Sequence, residues 1–520
     1  MTLFSALLLP MLAGLIVSGV LEQRTLAGAV CPVWQRPLAA LLLHIGTWLV
    51  LFTSVLLVLQ RPWFAVFLVL AFQILVLLVH QAKFNSLREP FIFQDFEYFT
   101  DAIKHPRLYL PFFGIVRTLA ATLGFAGALS IGLIYEAPVT EVLPLSPLTL
   151  SWIGLLAIGL ALIYQGLRHC PAVVYDPAKD LCDLGQVAFF WAYWQAENVP
   201  RTAFAQTPFD HPPAVADAGK QPDIVVVQSE SFFDPRPLSD AIKASVLEHF
   251  DQIKTMASHH GRLAVPAWGA NTVRTECGFL SGLTPEQLGI HQFNPYRLLA
   301  KQNIPNLVGY LKQSGYRTLC IHPYPASFYL RDKVFPRMGF DHFMDIDSFN
   351  AEQKSGQFIG DLAVADKVNG LLNSGSETTG EDARKPLFIF VITMENHGPL
   401  HLEQPNDADL EAFYLHPPAL GSADLTVYLR HLKNADLMIK SLRDGLSCRA
   451  EKQGREGVLC WYGDHVPIMP TVYELFAEPD GLTDYFIWTT TPSSRSAETQ
   501  AQLLPIHALG ALMLKAAALA

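Results

Sequence analysis

The stretch GVLCWYGDHVP, residues 457–467, predicts the fold of the second half of the chain. Its apolar run is typical of a buried parallel strand, and Gly463 predicts a loop where the strand ends. Ligands of open α/β sheets bind at that end of the strands. Asp464 and His465 lie there, and a carboxylate beside an imidazole can hold a divalent cation. An isolated Asp-His pair is more often a simple turn, so the interpretation depends on the rest of the chain.

Three more apolar runs end in side chains that bind metals or exchange protons. They are residues 224–227 before Glu230, residues 317–321 before His322, and residues 386–392 before His397. Helical patterns lie between the runs, the first of them over residues 239–258, and this alternation indicates an α/β domain with a largely parallel sheet. Because parallel strands end at one edge of a sheet, we expect all four sets of side chains to lie along that edge.

A possible nucleophile lies between the first two of these strands. Asn271 can cap a helix that begins at Thr272, and a hydroxyl at a helix N-terminus lies in a positive local field. A bound metal would lower the pKa of this hydroxyl and make Thr272 nucleophilic. Thr275 is the alternative nucleophile, and a purely structural cap is the commoner role of an Asn-Thr pair.

The first part of the chain is apolar and electrically neutral. Residues 1–204 carry 11 basic and 11 acidic residues, so the remainder accounts for the net charge of −10. A bilayer-spanning helix needs about 20 apolar residues. Five segments qualify: Leu3–Leu21, Ala39–Leu59, Trp63–Val79, Phe112–Tyr135 and Leu148–Leu167.

These patterns divide the chain into three parts. Residues 1–170 are predicted to form a transmembrane anchor of five helices. Residues 171–221 are predicted to form an amphipathic connector followed, over residues 207–221, by a linker rich in proline and alanine. Residues 222–520 are predicted to form the α/β domain, closed by a helix over residues 502–519.

Charge and cysteine content exclude two classes of protein. The acidic second half has no basic tract, which argues against nucleic-acid binding. Seven cysteines in 520 residues do not make a disulfide framework. Cys448 and Cys460 can pair if the domain faces an oxidising compartment, and free buried thiols are the alternative.

The second half resembles the membrane-anchored phosphotransferases of the alkaline phosphatase and sulfatase superfamily. It is most similar to the lipoteichoic acid synthase and phosphoglycerol transferase group. The resemblance covers residues 223–492 and depends on motifs in a fixed order: Glu230-Ser231, Asn271-Thr272 with Glu276, His322 with Arg331, Glu395-Asn396-His397-Gly398-Pro399, and Gly463-Asp464-His465.

The resemblance implies a cofactor, a reaction and a set of site residues. One divalent cation, Mn²⁺ or Zn²⁺, would be held by Glu230, Thr272, Asp464 and His465. Thr272 would take phosphoglycerol from phosphatidylglycerol as a phosphothreonine intermediate and pass it to a glycan, glycolipid or polyglycerol-phosphate acceptor. Catalytic roles would fall to Thr272, His397 and Arg331, and substrate contacts to His322, Arg331, His397 and Tyr329. Tyr329 stands where the group often has a tryptophan.

The resemblance also places the domain outside a bacterial cytoplasmic membrane, with membrane lipids as neighbours. The distribution of basic residues favours the cytoplasm instead, and we follow the resemblance. A true sulfatase needs a Cys or Ser in a C/S-x-P-x-R context, which no cysteine here has. A phosphoethanolamine transferase is an alternative, although that group carries several disulfides. A non-catalytic domain that binds lipid or glycan is the third possibility, and a purified protein without stoichiometric metal would favour it.

Overall fold

A computed structural model describes residues 4–26, 28–97, 115–198, 207–211, 221–374, 385–491 and 501–519. The chain forms two compact units, Met1–Pro200 and Arg201–Ala520. The linker expected over residues 207–221 lies mostly outside the described residues.

The first unit is helical. Its helices are α1 (Leu9–Thr25), α2 (Leu38–Leu59), α3 (Pro62–Leu87), α4 (Ile115–Tyr135), α5 (Val139–Val142), α6 (Leu145–Arg168), α7 (Pro177–Leu184) and α8 (Gln186–Glu197). Five helical segments among the described residues are long and apolar enough to cross a membrane: Ser5–Thr25, Leu38–Leu59, Pro62–Leu87, Leu123–Val142 and Leu145–Arg168. The prediction of five apolar membrane helices is confirmed.

The third of these helices is longer than its apolar run suggests. Sequence predicted an end near Val79, whereas α3 continues to Leu87 and stops where Arg88 adopts a left-handed conformation with φ 54°. Lys83, in the added turns, pairs with Asp95 at 2.6 Å and with Glu89 at 3.2 Å. These ion pairs stabilise a polar helix end that an apolar pattern does not reveal.

Helices α2 and α6 approach each other at glycines. A Cβ atom added at Gly46 would lie 2.7 Å from the carbonyl oxygen of Gly159. A Cβ atom at Gly166 would lie 2.6 Å from the Leu43 side chain. Small residues of this kind let the backbones of membrane helices pack directly.

The second unit contains an eight-stranded sheet in the order β10-β2-β9-β8-β1-β7-β3-β4. The strands are β1 (Asp223–Ser229), β2 (His259–Ala264), β3 (Arg317–Ile321), β4 (His342–Met344), β7 (Leu387–Ile392), β8 (Gly457–Gly463), β9 (Thr483–Thr489) and β10 (Gln502–Pro505). Two further strands, β5 (Lys354–Ser355) and β6 (Phe358–Ile359), form a separate hairpin. Every pairing in the large sheet is parallel except those of β9 with β2 and β8. The prediction of a largely parallel α/β domain is confirmed.

Helices cover both faces of this sheet. They are α9 (Glu248–Met256), α10 (Thr272–Ser281), α11 (Pro285–Leu288), α12 (Pro295–Leu299), α13 (Leu307–Gln313), α14 (Arg331–Met338), α15 (Asp361–Ser374), α16 (Asp407–Phe413), α17 (Ala423–Gln453), α18 (Pro470–Leu475) and α19 (Ile506–Ala516). Successive β1 residues belong to different cores: Val225 and Val227 pack with α15 and α17, and Ile224 and Val226 with α10 and α19. The sheet is therefore buried on both sides, which explains its unbroken apolar runs.

Three local predictions are wrong. The closing helix was expected from residue 502, but Gln502–Pro505 forms β10, and helix α19 begins at Ile506. A long helix was expected near residues 239–258, but only Glu248–Met256 is α-helical. Asn271 occupies the cap position of α10 with φ 65°, but its side chain makes no capping hydrogen bond. In each case the neighbouring structure outweighs local propensity.

Candidate metal and phosphoryl-transfer site

The register of the sheet brings the predicted strand ends together. Ser229 of β1 pairs with Gly463 of β8, and Gln228 of β1 pairs with Ile392 of β7. On the other side of β7, Ile321 of β3 pairs with Val391. The segments that follow β8, β1, β7 and β3 therefore leave one edge of the sheet in that order.

Three of the predicted metal ligands converge at this edge. Glu230, Asp464 and His465 each offer one ligand atom, and these atoms all lie within 4.8 Å of one another. The Nε2 atom of His465 lies 3.6 Å from Glu230 Oε1 and 3.3 Å from Asp464 Oδ2. All three residues are buried. We call them the carboxylate cluster.

Hydrogen bonding orients the imidazole of the carboxylate cluster. His465 Nδ1 lies 3.1 Å from the carbonyl oxygen of Val466, which can only accept a hydrogen bond. In the neutral ring the proton is therefore on Nδ1, and the lone pair of Nε2 faces the two carboxylates. This arrangement is typical of a histidine that binds a metal through Nε2.

The neighbouring protein groups do not fully balance the negative charge of the carboxylate cluster. Burial, followed by the charge of Asp464, raises the pKa of Glu230 to about 8. Asp464 Oδ2 is buried, and it makes no hydrogen bond with the described residues although His465 is close. Two carboxylates and an imidazole lone pair around one point fit a divalent cation.

A backbone turn after β1 holds the carboxylate cluster in place. Ser231 adopts a left-handed conformation with φ 52°, which is uncommon for a residue other than glycine. Its amide donates to Asp464 Oδ1 at 2.8 Å, and its hydroxyl donates to Glu230 Oε1 at 2.9 Å. Its carbonyl accepts a hydrogen bond from the Tyr428 hydroxyl at 2.8 Å. Ser231 therefore contacts both carboxylates of the cluster.

Gly463 allows the strand before Asp464 to pass this turn. A Cβ atom at position 463 would lie 1.9 Å from the carbonyl oxygen of Phe232. No side chain fits at that distance. The glycine of the Gly-Asp-His motif is therefore required by close packing against the turn after β1.

Helix α10 is attached to the same cluster. The Thr275 hydroxyl donates to the Asp464 carbonyl oxygen at 2.8 Å, and Thr275 is fully buried. Residues three positions apart share a helix face, so Thr272 lies on the face that approaches Asp464. Thr272 begins the helix, with 9% of its surface exposed. The Thr275 hydroxyl is therefore already engaged with the Asp464 backbone.

A second set of polar side chains forms its hydrogen bonds and ion pairs entirely within the protein. Arg331 forms a bidentate pair with Glu276, with Nε to Oε1 at 3.1 Å and Nη2 to Oε2 at 2.8 Å. Arg331 Nη1 donates to His322 Nε2 at 3.1 Å, and His322 Nδ1 lies 3.2 Å from the Ile392 carbonyl oxygen. All three side chains are buried. We call Glu276, Arg331 and His322 the guanidinium cluster.

Further contacts fix the guanidinium cluster. Glu276 also accepts hydrogen bonds from Gln228, at 3.2 Å, and from the Tyr296 hydroxyl. The Tyr329 ring centroid lies 5.4 Å from the Arg331 guanidinium carbon, a cation–π distance. Burial and then the charge of Arg331 hold the pKa of His322 well below its usual range. His322 is therefore neutral and accepts a hydrogen bond from Arg331.

His397 is the histidine of the site that is not fully buried. Its Nδ1 atom lies 2.6 Å from the Gly398 carbonyl oxygen, and its ring packs against Phe358 at 5.4 Å between centroids. Burial lowers the pKa of His397, so the ring is neutral at neutral pH. With Nδ1 protonated, Nε2 is the atom that can accept a proton.

Sequence reasoning assigned no role to several residues that organise the site. Ser231 and Glu276 were visible in the motifs, but their partners are distant in sequence. The Thr393 hydroxyl, which accepts the Glu230 amide at 3.0 Å, follows β7. Tyr428 lies on α17, whose pattern shows only a buried helix face. These pairings follow from the register of the sheet, which the sequence pattern does not specify.

Comparison with known proteins gives the family. The profile of the sulfatase family matches residues 222–513, more than half of the chain. A capsular polysaccharide biosynthesis protein of Rhizobium meliloti is 29% identical over 446 residues, 82% of this chain and 77% of that protein. A putative cyclic β-1,2-glucan modification protein of the same organism is 28% identical over 52% of this chain and 40% of that protein. Lipoteichoic acid synthase of Staphylococcus aureus is 25% identical over 35% of this chain and 26% of that protein.

Two solved structures are similar to parts of this chain. The Streptococcus pyogenes phosphoglycerol transferase GacH with sn-glycerol-1-phosphate has a TM-score of 0.45 and 22% identity, covering 58% of this chain and 75% of that chain. The periplasmic domain of Escherichia coli EptC in complex with Zn has a TM-score of 0.43 and 17% identity, covering 60% and 87%. Both scores are below 0.5, so neither resemblance bears on the activity. The family match, which covers more than half of the chain, shows that this chain belongs to the sulfatase family.

Proposed function

We propose that the chain transfers phosphoglycerol from phosphatidylglycerol to a glycan, glycolipid or polyglycerol-phosphate acceptor of a bacterial cell envelope. Family membership supports phosphoryl-transfer chemistry. Three relatives support the acceptor class, because their names refer to capsular polysaccharide, to a cyclic glucan and to lipoteichoic acid. Five apolar helices beside the catalytic unit in sequence suit a donor that resides in a bilayer.

One divalent cation, Mn²⁺ or Zn²⁺, fits the carboxylate cluster. Glu230, Asp464 and His465 would hold it, with Thr272 as the fourth ligand. When bound, such an ion neutralises phosphate charge and favours the ionised form of a nearby hydroxyl. The observation that carries the proposal is the contact of Thr275 with Asp464 at 2.8 Å, because it fixes the nucleophile's helix to the ligand loop.

The chain's own groups account for both halves of the transfer. Thr272 Oγ1 attacks phosphorus, the new Oγ1–P bond forms, and the bond from phosphorus to the diacylglycerol oxygen breaks. The Thr272 hydroxyl loses its proton, and the leaving diacylglycerol oxygen gains one. We assign the transfer of this proton to Nε2 of His397. An acceptor hydroxyl then attacks phosphorus: the bond from its oxygen to phosphorus forms, the Thr272 Oγ1–P bond breaks, and the proton that the acceptor loses returns to Thr272 Oγ1. A two-step route lets one site receive two bulky partners in turn.

In the guanidinium cluster, Arg331 carries the positive charge, and Glu276 and His322 hold its side chain in place. Arg331 is already oriented by Glu276, so little reorganisation is needed when phosphate charge develops nearby. His322 and Tyr329 contact Arg331 from other directions. We assign Arg331, His322, Tyr329 and His397 to the substrate side of the site.

The test is incubation of the full chain, in detergent with Mn²⁺ or Zn²⁺, with phosphatidylglycerol labelled in its head group. We expect labelled phosphoglycerol on the peptide that contains Thr272, with release of diacylglycerol. Thr272→Ala removes the adduct, whereas Thr275→Ser, which keeps the anchoring hydroxyl, retains it. An adduct on another residue, or turnover by Thr272→Ala, overturns the proposed nucleophile.

Phosphatidylethanolamine labelled in the same way tests the alternative donor. A Thr272 adduct from that lipid alone would make the protein a phosphoethanolamine transferase. No adduct from either lipid, in a preparation without stoichiometric metal, would support a non-catalytic role.

We further propose that residues 1–170 anchor the protein in the cytoplasmic membrane and that residues 222–520 catalyse the transfer outside the cytoplasm. Residues 171–221 would connect these two parts. Lipid head groups and glycans of this kind are reached from that side. A C-terminal phosphatase fusion, active only outside the cytoplasm, is expected to be active, and a C-terminal green fluorescent protein fusion is expected to be dark. The opposite pair of results overturns the placement.

A further inference from the structure

Two cysteines of the first unit lie in contact although 151 residues separate them. Cys31 belongs to the loop between α1 and α2, and Cys182 lies on α7. Their Sγ atoms are 2.9 Å apart. A disulfide bond is about 2.05 Å long, so the two atoms need to approach by less than about 1 Å to bond.

The backbone holds the two cysteines together independently of their side chains. The Cys31 amide donates to the Cys182 carbonyl oxygen at 2.9 Å. Arg36 Nε donates to the Cys31 carbonyl oxygen at 2.9 Å, and Arg36 Nη1 donates to Glu22 Oε1 at 3.1 Å. Glu22 Oε1 also accepts the amide of Gln186, at the start of α8, at 2.5 Å. A buried ion pair thus joins the loop to the connector helices on either side of the cysteines.

We propose that Cys31 and Cys182 form a disulfide that fastens the connector α7–α8 to the loop after α1. The two thiols exchange with the disulfide of a thiol–disulfide oxidoreductase. The Sγ–Sγ bond forms as that disulfide is reduced to a dithiol, which takes up the two thiol protons and the electron pair. The inference concerns the first unit alone and does not depend on the transfer reaction.

A metal site is the competing interpretation of the same atoms. Asp183 brings a carboxylate oxygen within 4.8 Å of both sulfurs. A structural zinc site needs four protein ligands, whereas the described residues supply three here, and Asp183 is exposed. The direct approach of the sulfurs favours a bond between them over an ion between them.

The disulfide bears on the side of the membrane that the connector occupies. Disulfides persist in oxidising compartments and are rare in the cytosol. An odd number of spans separates the N-terminal end of α1 from the connector, and four spans separate the loop after α1 from it. The loop and the connector are therefore on the same side, as a disulfide between them requires.

The test uses the full chain in membranes from cells. The sample is denatured in excess N-ethylmaleimide without reductant, so that every free thiol reacts, and is then reduced and labelled with a heavier maleimide. Mass spectrometry of the wild type is expected to find the second label on Cys31 and Cys182, a gain of two labelled cysteines on reduction. In Cys31→Ser no cysteine should gain the second label, and Cys182 should carry the first. The matched control, Cys448→Ser, should leave the wild-type result unchanged.

Two outcomes overturn the disulfide. In the first, both cysteines carry only the first label in the wild type. In the second, both cysteines resist the first label in native membranes but react there once a chelator is added without reductant, which would identify a metal site. A linked peptide that contains both cysteines in a non-reducing digest confirms the bond directly.

Discussion

The carboxylate cluster and the guanidinium cluster lie at the same edge of one sheet, yet they differ in how far the protein satisfies them. In the guanidinium cluster, Arg331 donates to Glu276 and His322, and His322 donates to a backbone carbonyl. In the carboxylate cluster, two acidic groups and an imidazole lone pair face one another. The first arrangement is complete without a ligand, whereas the second gains most from a cation.

The largest effect is expected from a substitution that disrupts the carboxylate cluster. Asp464→Asn should lower transfer on the order of 10³-fold or more, because a neutral amide binds a divalent cation much less well than a carboxylate. The amide oxygen of the new side chain can still accept the Ser231 backbone amide, so the metal-free protein should not be less stable than wild type. Bound metal, measured by plasma mass spectrometry, and transfer rate check this. Asp480→Asn, which changes an exposed carboxylate, is the control. A variant that binds metal as wild type does would show that Asp464 is not a ligand.

The second effect breaks the guanidinium cluster. Arg331→Met leaves Glu276 buried without its cation, which should cost about 3 kcal/mol of local stability. Hydrogen exchange of the α10 and α14 peptides measures that loss. Arg443→Met removes a more exposed pair with Asp444 and should cost less than about 1 kcal/mol. Equal exchange in the two variants would mean that Arg331 does not stabilise the fold.

A smaller effect is expected from a substitution at a residue that orients the metal ligands but does not itself bind the metal. Ser231→Ala removes the hydroxyl that contacts Glu230 at 2.9 Å and His465 at 3.3 Å. Loss of such a supporting contact typically weakens metal binding about 10- to 100-fold. Ser229→Ala is the matched control, because the Ser229 hydroxyl is buried and has no hydrogen-bond partner in the described chain. If both alanine variants bind metal equally, Ser231 does not orient the ligands.

The smallest effect is a pH dependence of the carboxylate cluster. With the pKa of Glu230 raised to about 8, a cation must displace a proton below that pH. The affinity of the carboxylate cluster for the cation should rise at most about tenfold per pH unit up to about pH 8 and then level off. Calorimetry in buffers of different ionisation enthalpy should detect about one proton released per cation at about pH 6. No proton release at that pH would contradict the raised pKa.

The raised pKa of Glu230 also determines whether the stability of the metal-free protein rises or falls with pH. The folded state holds the Glu230 proton more tightly than the unfolded chain, so stability should fall as pH rises from about 4.5 to about 8. Glu230→Gln removes the titrating group and should flatten this part of the pH profile. A profile that is unchanged in the variant would assign the slope to other groups.

The sequence predicted those parts of the molecule that local pattern determines. The β8 stretch and the other buried runs indicated the central strands, since a sheet covered on both faces needs continuous apolar residues. The ends of the same strands indicated Glu230, Asp464 and His465. The pattern did not predict β9 and β10: β9 is antiparallel, and β10 is four residues that continue into the apolar pattern of a helix. Strands of that kind are specified by their neighbours rather than by their own periodicity.

Long-range pairing was also beyond the sequence pattern. Arg331 and Glu276 were both present in the motifs, but their ion pair joins α14 to α10 across 55 residues. The sequence left open whether Cys448 and Cys460 pair or stay free, and both are free thiols, with Cys460 buried in β8. Cys31 and Cys182, which drew no attention in the sequence, are the two cysteines that meet.

The glycine contact between α2 and α6 has a consequence for how a lipid reaches the protein. A methyl group does not fit between Gly46 and Gly159, so a fatty acyl chain cannot lodge there. This seam is closed to hydrocarbon tails. The proposed lipid donor would have to dock its tails elsewhere on the helical bundle, and a bulky residue at Gly159 would open the seam only by separating the two helices.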